Sequence, residues 1–194
     1  MPEQTSDHTP ATPSAEGIAK AIGKRKGPPP VHLWNPDFCG DIDMEIKRDG
    51  TWFYEGTPIG RLPMVKLFAS ILKLEEGKFF LVTPVEKVGI RVEDAPFVAL
   101  DFHASEEGGE QSLTFETNVG DETTLSDENP LRVLYAEDGE PTPYVHVRRG
   151  LEARIDRKSF YRLIDIGKTE GAWFGVRSAG SFFPIIEAAA LAVE

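Results

Sequence analysis

Arg48-Asp49-Gly50-Thr51-Trp52 and Arg148-Arg149-Gly150-Leu151-Glu152 each sit at the start of one and the same pattern. In both copies an Arg-x-Gly turn joins two strand-like segments. An Ile-x-Arg step follows, Ile59 to Arg61 and Ile155 to Arg157, and then an amphipathic stretch carrying an apolar pair, Leu67-Phe68 and Leu163-Ile164. The spacing from the isoleucine to the pair is identical. A hairpin-plus-helix unit met twice predicts an α+β protein of two internally duplicated parts with meander sheets. Two half-domains set against one another leave a cleft, and small ligands favour such interfaces.

Around the first turn, Ile42, Met44 and Ile46 alternate with Asp41, Asp43 and Glu45, the period of a half-buried strand. Thr51 to Tyr54 is rich in strand formers, so the two segments read as a β-hairpin that ends at Gly56 and Pro58. A helix is expected over 61–74, with Pro63 in its first turn, Gly60 as its N-cap and Glu75-Glu76-Gly77 as its stop. Strands follow over 79–83, 88–92 and 97–102, then candidates over 112–117, 123–125 and 131–135. The second copy places strands over 144–148 and 151–155 and a helix over 157–166 capped by Asp156. Segments 173–176 and 181–186 close the chain as a hairpin, or as a strand and an Ala-rich terminal helix.

Residues 1–30 hold six of the fifteen prolines and few large apolar side chains, so they read as a disordered or loosely docked tail. Within it Ser14 caps a short helix over 15–22 that stops at Gly23. Lys24-Arg25-Lys26 reads as a solvated linker. An N-terminal α+β domain then spans 31–95 and a C-terminal β-rich domain 96–194.

The 194 residues are 40% hydrophobic and can bury one good core or two small ones. A net charge of -11 repels polyanions and anionic membranes, so long nucleic acid is not an expected partner. A few arginines in a cleft still prevail locally over a diffuse acidic surface. With one cysteine, Cys39, no apolar stretch of spanning length and no signal-peptide order at the start, a cytoplasmic protein without membrane insertion is expected. Cys39 reads as an ordinary, partly buried thiol.

Neither GxxxxGK[ST] nor GxGxxG occurs, GxSxG is absent, and His8, His32, His103 and His146 are scattered without HExxH or CxxC partners. No catalytic signature, cofactor motif or metal site is therefore expected. The acidic face of Asp41, Asp43, Glu45 and Asp49 lacks the glycine and terminal glutamate of a calcium loop.

Trp34-Asn35-Pro36, Cys39-Gly40-Asp41-Ile42-Asp43, Arg48-Asp49-Gly50-Thr51-Trp52, Gly56-Thr57-Pro58-Ile59 and Leu67-Phe68 closely resemble a bacterial family, domain of unknown function 1285. The similarity continues through Thr83-Pro84-Val85-Glu86-Lys87 and Asp94-Ala95-Pro96-Phe97. It weakens over Leu151 to Ile155, Arg157 and Phe160-Tyr161, and covers about residues 30 to 166. The resemblance implies a duplicated core, a pleckstrin-homology-like second half, an interdomain cleft for a nucleotide-like ligand and a role in signalling.

Arginine is the leading candidate for chemistry. Arg61 and Arg157 stand at equivalent helix starts, where a helix N-terminus and a guanidinium together hold phosphate or carboxylate. The plainer alternative pairs each with an acid such as Asp43 or Asp156. The leading expectation is a non-enzymatic protein whose cleft binds a small anionic ligand through Arg61, Arg157, Lys87, Trp52 and Asp43. The rival is a protein-interaction module without a small ligand, using the β-surface of the second half and the basic-helical tail. A cation-dependent hydrolase on the Asp41/Asp43/Glu45 face ranks third.

Overall fold

The computed structural model describes residues 12–23 and 27–192. The basic run at 24–26 and the chain ends lie outside the described residues. The first half contains α1 (Ala15–Ile22), β1 (Phe38–Ile46), β2 (Trp52–Tyr54), β3 (Thr57–Pro58), α2 (Leu62–Ser70), β4 (Leu72–Glu75), β5 (Lys78–Val82) and β6 (Lys87–Val92). Its sheet runs β3-β2-β1-β6-β5-β4, with β1 antiparallel to β2 and parallel to β6. A parallel neighbour needs a crossover, which α2 and the β4–β5 hairpin supply.

The second half begins with β7 (Phe97–Glu107), β8 (Glu110–Thr117), β9 (Glu122–Thr124) and β10 (Leu131–Tyr135). It continues with β11 (Pro141–Arg148), β12 (Leu151–Ile155), α3 (Arg157–Ile166), β13 (Lys168–Glu170), β14 (Trp173–Ser178) and β15 (Ser181–Glu187). One sheet is ordered β10-β11-β12-β7-β8-β9 and a second β13-β14-β15. Hairpin, helix and three-stranded meander thus occur twice, although the repeated sequence pattern reaches only through the hairpin and the helix. The copies differ in what pairs beside them: β6 lies parallel to the first hairpin strand, β7 parallel to the second strand of the other hairpin.

Local signals explain most elements. On β1 the alternation buries Ile42, Met44 and Ile46 and leaves Asp41 and Asp43 exposed. Asp156 caps α3 by accepting from the Ser159 N–H at 2.8 Å, and Phe160 and Leu163 bury its apolar stripe. Two expectations are corrected, and of the two readings of the chain's close the hairpin is the one found. The α2 helix stops at Ser70 with Ile71 as C-cap, because Leu72 to Glu75 pair with Leu81 to Lys78 on β5 and the ladder outcompetes local helix propensity. Arg61, not Gly60, is the N-cap. The chain ends the described region in a short 3-10 turn, Ala188–Ala192, after the complete β14–β15 hairpin.

Trp52, Phe68, Phe97, Phe115 and Leu151 belong to a single cluster of buried residues that runs through both halves. The two turns of the repeat help to close it. Asn118 of the second half donates its Nδ2 to the Gly50 carbonyl at 3.2 Å and accepts the Val98 N–H at 3.0 Å. Reciprocally, Arg148 donates to the Ala69 carbonyl near the C-terminus of α2 at 2.8 Å and pairs with Asp121, while Gly150 lies against Leu74. Each Arg-x-Gly turn therefore docks into the other half of the molecule.

Candidate functional site

The junction between the halves is built around Asp94. Tyr144 on β11 donates its hydroxyl to Asp94 Oδ1 at 2.7 Å, and burial, reinforced by that bond, pushes the phenol pKa up to about 12. Arg48, in the first Arg-x-Gly turn, brings its Nε to 3.7 Å from Asp94 Oδ2, and Arg154 on β12 brings its Nε to 3.6 Å. These are ion pairs without hydrogen-bond geometry. Arg154 also donates to the Arg48 carbonyl at 3.0 Å, so the two arginines are tied across the junction.

A cavity of about 240 Å³ opens beside this cluster, lined by Arg48, Glu140, Arg154, Arg157, Phe160 and Tyr161 with the 141–143 segment of β11. Arg157 is the first residue of α3 and donates its Nε to the Tyr161 hydroxyl at 3.0 Å. Three guanidiniums, from Arg48, Arg154 and Arg157, meet the two carboxylates of Asp94 and Glu140. The local balance is positive in a protein of net charge -11, and Arg48 keeps 60% of its side chain in solvent while Arg154 keeps 21%. An arrangement of this kind suits a carboxylate or phosphate, because guanidinium groups offer paired donors that match its oxygens.

The five residues chosen from sequence do not assemble. Arg157 lines the cleft. Trp52 is only 1% exposed, stacked on Phe68 in the core, and presents no face to a ligand. Lys87 lies over the Phe80 ring and pairs with Glu75 at 2.8 Å, in a separate and larger depression with Phe38 and Asp41. Asp43 pairs with Arg91 at 2.7 Å. Arg61 is exposed on the start of α2 and makes no ion pair among the described residues. The expected pairing of Arg157 with Asp156 is absent, since Asp156 caps its own helix. Cys39 is exposed rather than partly buried, its Sγ 3.4 Å from the Asp37 carbonyl. Arg48 and Arg154 are the residues that sequence reasoning missed, although Arg48 stands inside the repeated turn motif itself.

A family model described as the N-terminal domain of DUF1285, a domain of unknown function, matches residues 29–95, and its C-terminal counterpart matches residues 96–185. The chain is 61% identical to a DUF1285 family protein from Silicibacter pomeroyi DSS-3 of known crystal structure, over 92% of this chain and 97% of that one, with a TM-score of 0.86. The chain belongs to the DUF1285 family. A second DUF1285 family protein, from Shewanella baltica OS155, is 31% identical over 63% of this chain and 90% of its own, with a TM-score of 0.50. No curated protein matches the chain. Among the described residues no helix is long and apolar enough to cross a membrane.

Proposed function

We propose that this DUF1285 protein is a non-enzymatic, cytoplasmic ligand-binding protein with a role in signal transduction, holding a small anionic, nucleotide-like molecule in the cleft between its halves. The observation that carries the reading is the meeting of Arg48 from the first half with Arg154 and Arg157 from the second around one cavity. At about 240 Å³ the cavity encloses a phosphate and little more, below the ~300–1,000 Å³ of pockets that swallow a whole ligand. The organic part then lies outward, along the Tyr161 ring, which is 54% exposed beside Arg157. Because the ligand contacts both halves, binding stabilises the folded chain as a whole.

The test is a thermal-shift and calorimetric titration of nucleoside mono- and diphosphates, with inorganic phosphate alongside, on wild type and Arg157→Ala. Arg157 is the variant of choice because it makes no contact across the junction that folding depends on, unlike Arg48 and Arg154. Ligand at about one hundred times its dissociation constant stabilises by about 2.7 kcal/mol, a rise of about 5–11 °C for a chain of this size. Binding that weakens with salt and is lost in Arg157→Ala supports the reading; no shift with any compound, or a shift that Arg157→Ala leaves intact, rejects it.

A further inference from the structure

We propose that the outer face of the first sheet carries a binding site for a small aromatic amine, its ammonium on Asp41 and its ring against Phe38 and Phe80. The site is separate from the anion cleft and does not rest on it. Neighbouring strands set Asp41 of β1, Gly89 of β6 and Phe80 of β5 in one row across the sheet, since Gly89 pairs with both of the others. Glycine is a poor strand former, and inside a strand it marks a place where a ligand or another group comes close to the backbone. A Cβ at Gly89 would collide with Asp41 Oδ1 and would stand 3.7 Å from the Phe38 ring. The missing side chain therefore seats the Asp41 carboxylate in the middle of the sheet face, beside two aromatic rings.

That carboxylate is placed without being neutralised. Strand β1 shifts register against β6 on both sides of Asp41, and Gly40 before it takes φ +100°, an irregularity that re-aims a side chain. On the same face Glu75 pairs with Lys73 at 2.7 Å and with Lys87 at 2.8 Å, and Asp43 pairs with Arg91 at 2.7 Å, so those carboxylates are satisfied. Asp41 makes no hydrogen bond or ion pair among the described residues.

The surroundings suit an organic cation. The depression beside these residues has a volume of about 810 Å³, inside the ~300–1,000 Å³ of small-molecule sites. Asp41, Glu75 and Glu76 line it against Lys78 and Lys87, so the acids outnumber the bases. Phe38 and Phe80 meet edge to face, their centroids 5.9 Å apart and their planes at 83°, and Phe38 is 55% exposed. The Lys87 ammonium already lies 5.1 Å from the centre of the Phe80 ring, which shows that this setting attracts such a group. Among the described residues no three His, Cys, Asp or Glu side chains gather as a metal ion requires, so the cation that fits is organic.

An amide NMR titration of the full chain with 2-phenylethylammonium tests this. The amides of Phe38, Asp41, Phe80 and Gly89 shift together and saturate. Asp41→Asn, a change at an exposed position, weakens the amine about twofold to fivefold, the range for an exposed ion pair, and leaves binding of the isosteric 2-phenylethanol unchanged. Gly89→Ala, which displaces the carboxylate, weakens the amine in the same way. The anionic counterpart, 3-phenylpropionate, moves none of these amides. Equal binding of amine and alcohol, an Asp41→Asn chain that binds the amine as wild type does, shifts spread along the acidic surface, or no shift at millimolar amine overturns the proposal. Tighter binding of Nα-acetyllysinamide than of the aromatic amine also overturns it, since a partner's lysine side chain is then the occupant.

Discussion

Replacing Gly50 by alanine isolates the contact by which the first Arg-x-Gly turn enters the second half. Gly50 has φ +86°, and a Cβ there stands 2.6 Å from Asn118 Nδ2 and 3.0 Å from Val98 Cγ2. The left-handed conformation alone costs a non-glycine residue about 1–2 kcal/mol. Asn118 must then withdraw, giving up its bonds to the Gly50 carbonyl and the Val98 N–H. At about 0.5–1.5 kcal/mol each, these add about 1–3 kcal/mol. Gly56 supplies the control: its φ is +74°, and nothing lies within 4 Å of an added Cβ. Gly56→Ala therefore costs the backbone strain alone, and Gly50→Ala exceeds it by about 1–3 kcal/mol, or about 2–12 °C in Tm. Urea denaturation with matched m-values measures the difference. In an Asn118→Ala background the excess shrinks to what the 3.0 Å contact with Val98 demands, because the clash with Asn118 and both of its hydrogen bonds are already gone. If the two glycine variants are equally stable within about 0.5 kcal/mol, the reasoning about interlocked turns is wrong.

Tyr144 titrates late, at about pH 12 in the folded protein against an ordinary value near 10. Its proton is held more tightly folded than unfolded, so the stability it contributes is complete below about pH 10 and is lost as pH rises toward 12. Denaturation curves of wild type and Tyr144→Phe across this window should converge as pH rises; parallel curves would show that burial and the Asp94 bond do not raise this phenol. Ser178, fully buried, accepts from the Leu113 N–H at 2.9 Å and donates to the Leu125 carbonyl at 2.6 Å. Ser178→Ala orphans both groups, at about 1–3 kcal/mol each, and a loss under about 1 kcal/mol would show that water reaches the gap.

The helix α3 and its cap, the alternation on β1 and the two turns were legible because each rests on neighbours within a few residues. Asp156 caps a helix that starts one residue later, and Ile42, Met44 and Ile46 reveal their face by period alone. Leu72 to Leu74 fall in the expected helix for the opposite reason. Their apolar residues extend the helical stripe of α2, and only pairing with β5 makes them a strand. Short β13, Lys168 to Glu170, carries no apolar alternation and was invisible.

Site residues divide along the same line. By itself the sequence determined that this protein is an α+β duplication, acidic overall, with arginines at the turns and helix starts of the repeat. Which arginines meet was decided only by the tertiary structure. Arg48 and Arg154 are 106 residues apart in the chain and come together because Asp94, at the join of the halves, draws a guanidinium from each. Trp52 went the other way, from candidate stacking platform to core, when α2 laid Phe68 over it. Composition and periodicity report what a residue does to its own segment; the partners of a charge or a ring depend on long-range packing, which no local pattern encodes.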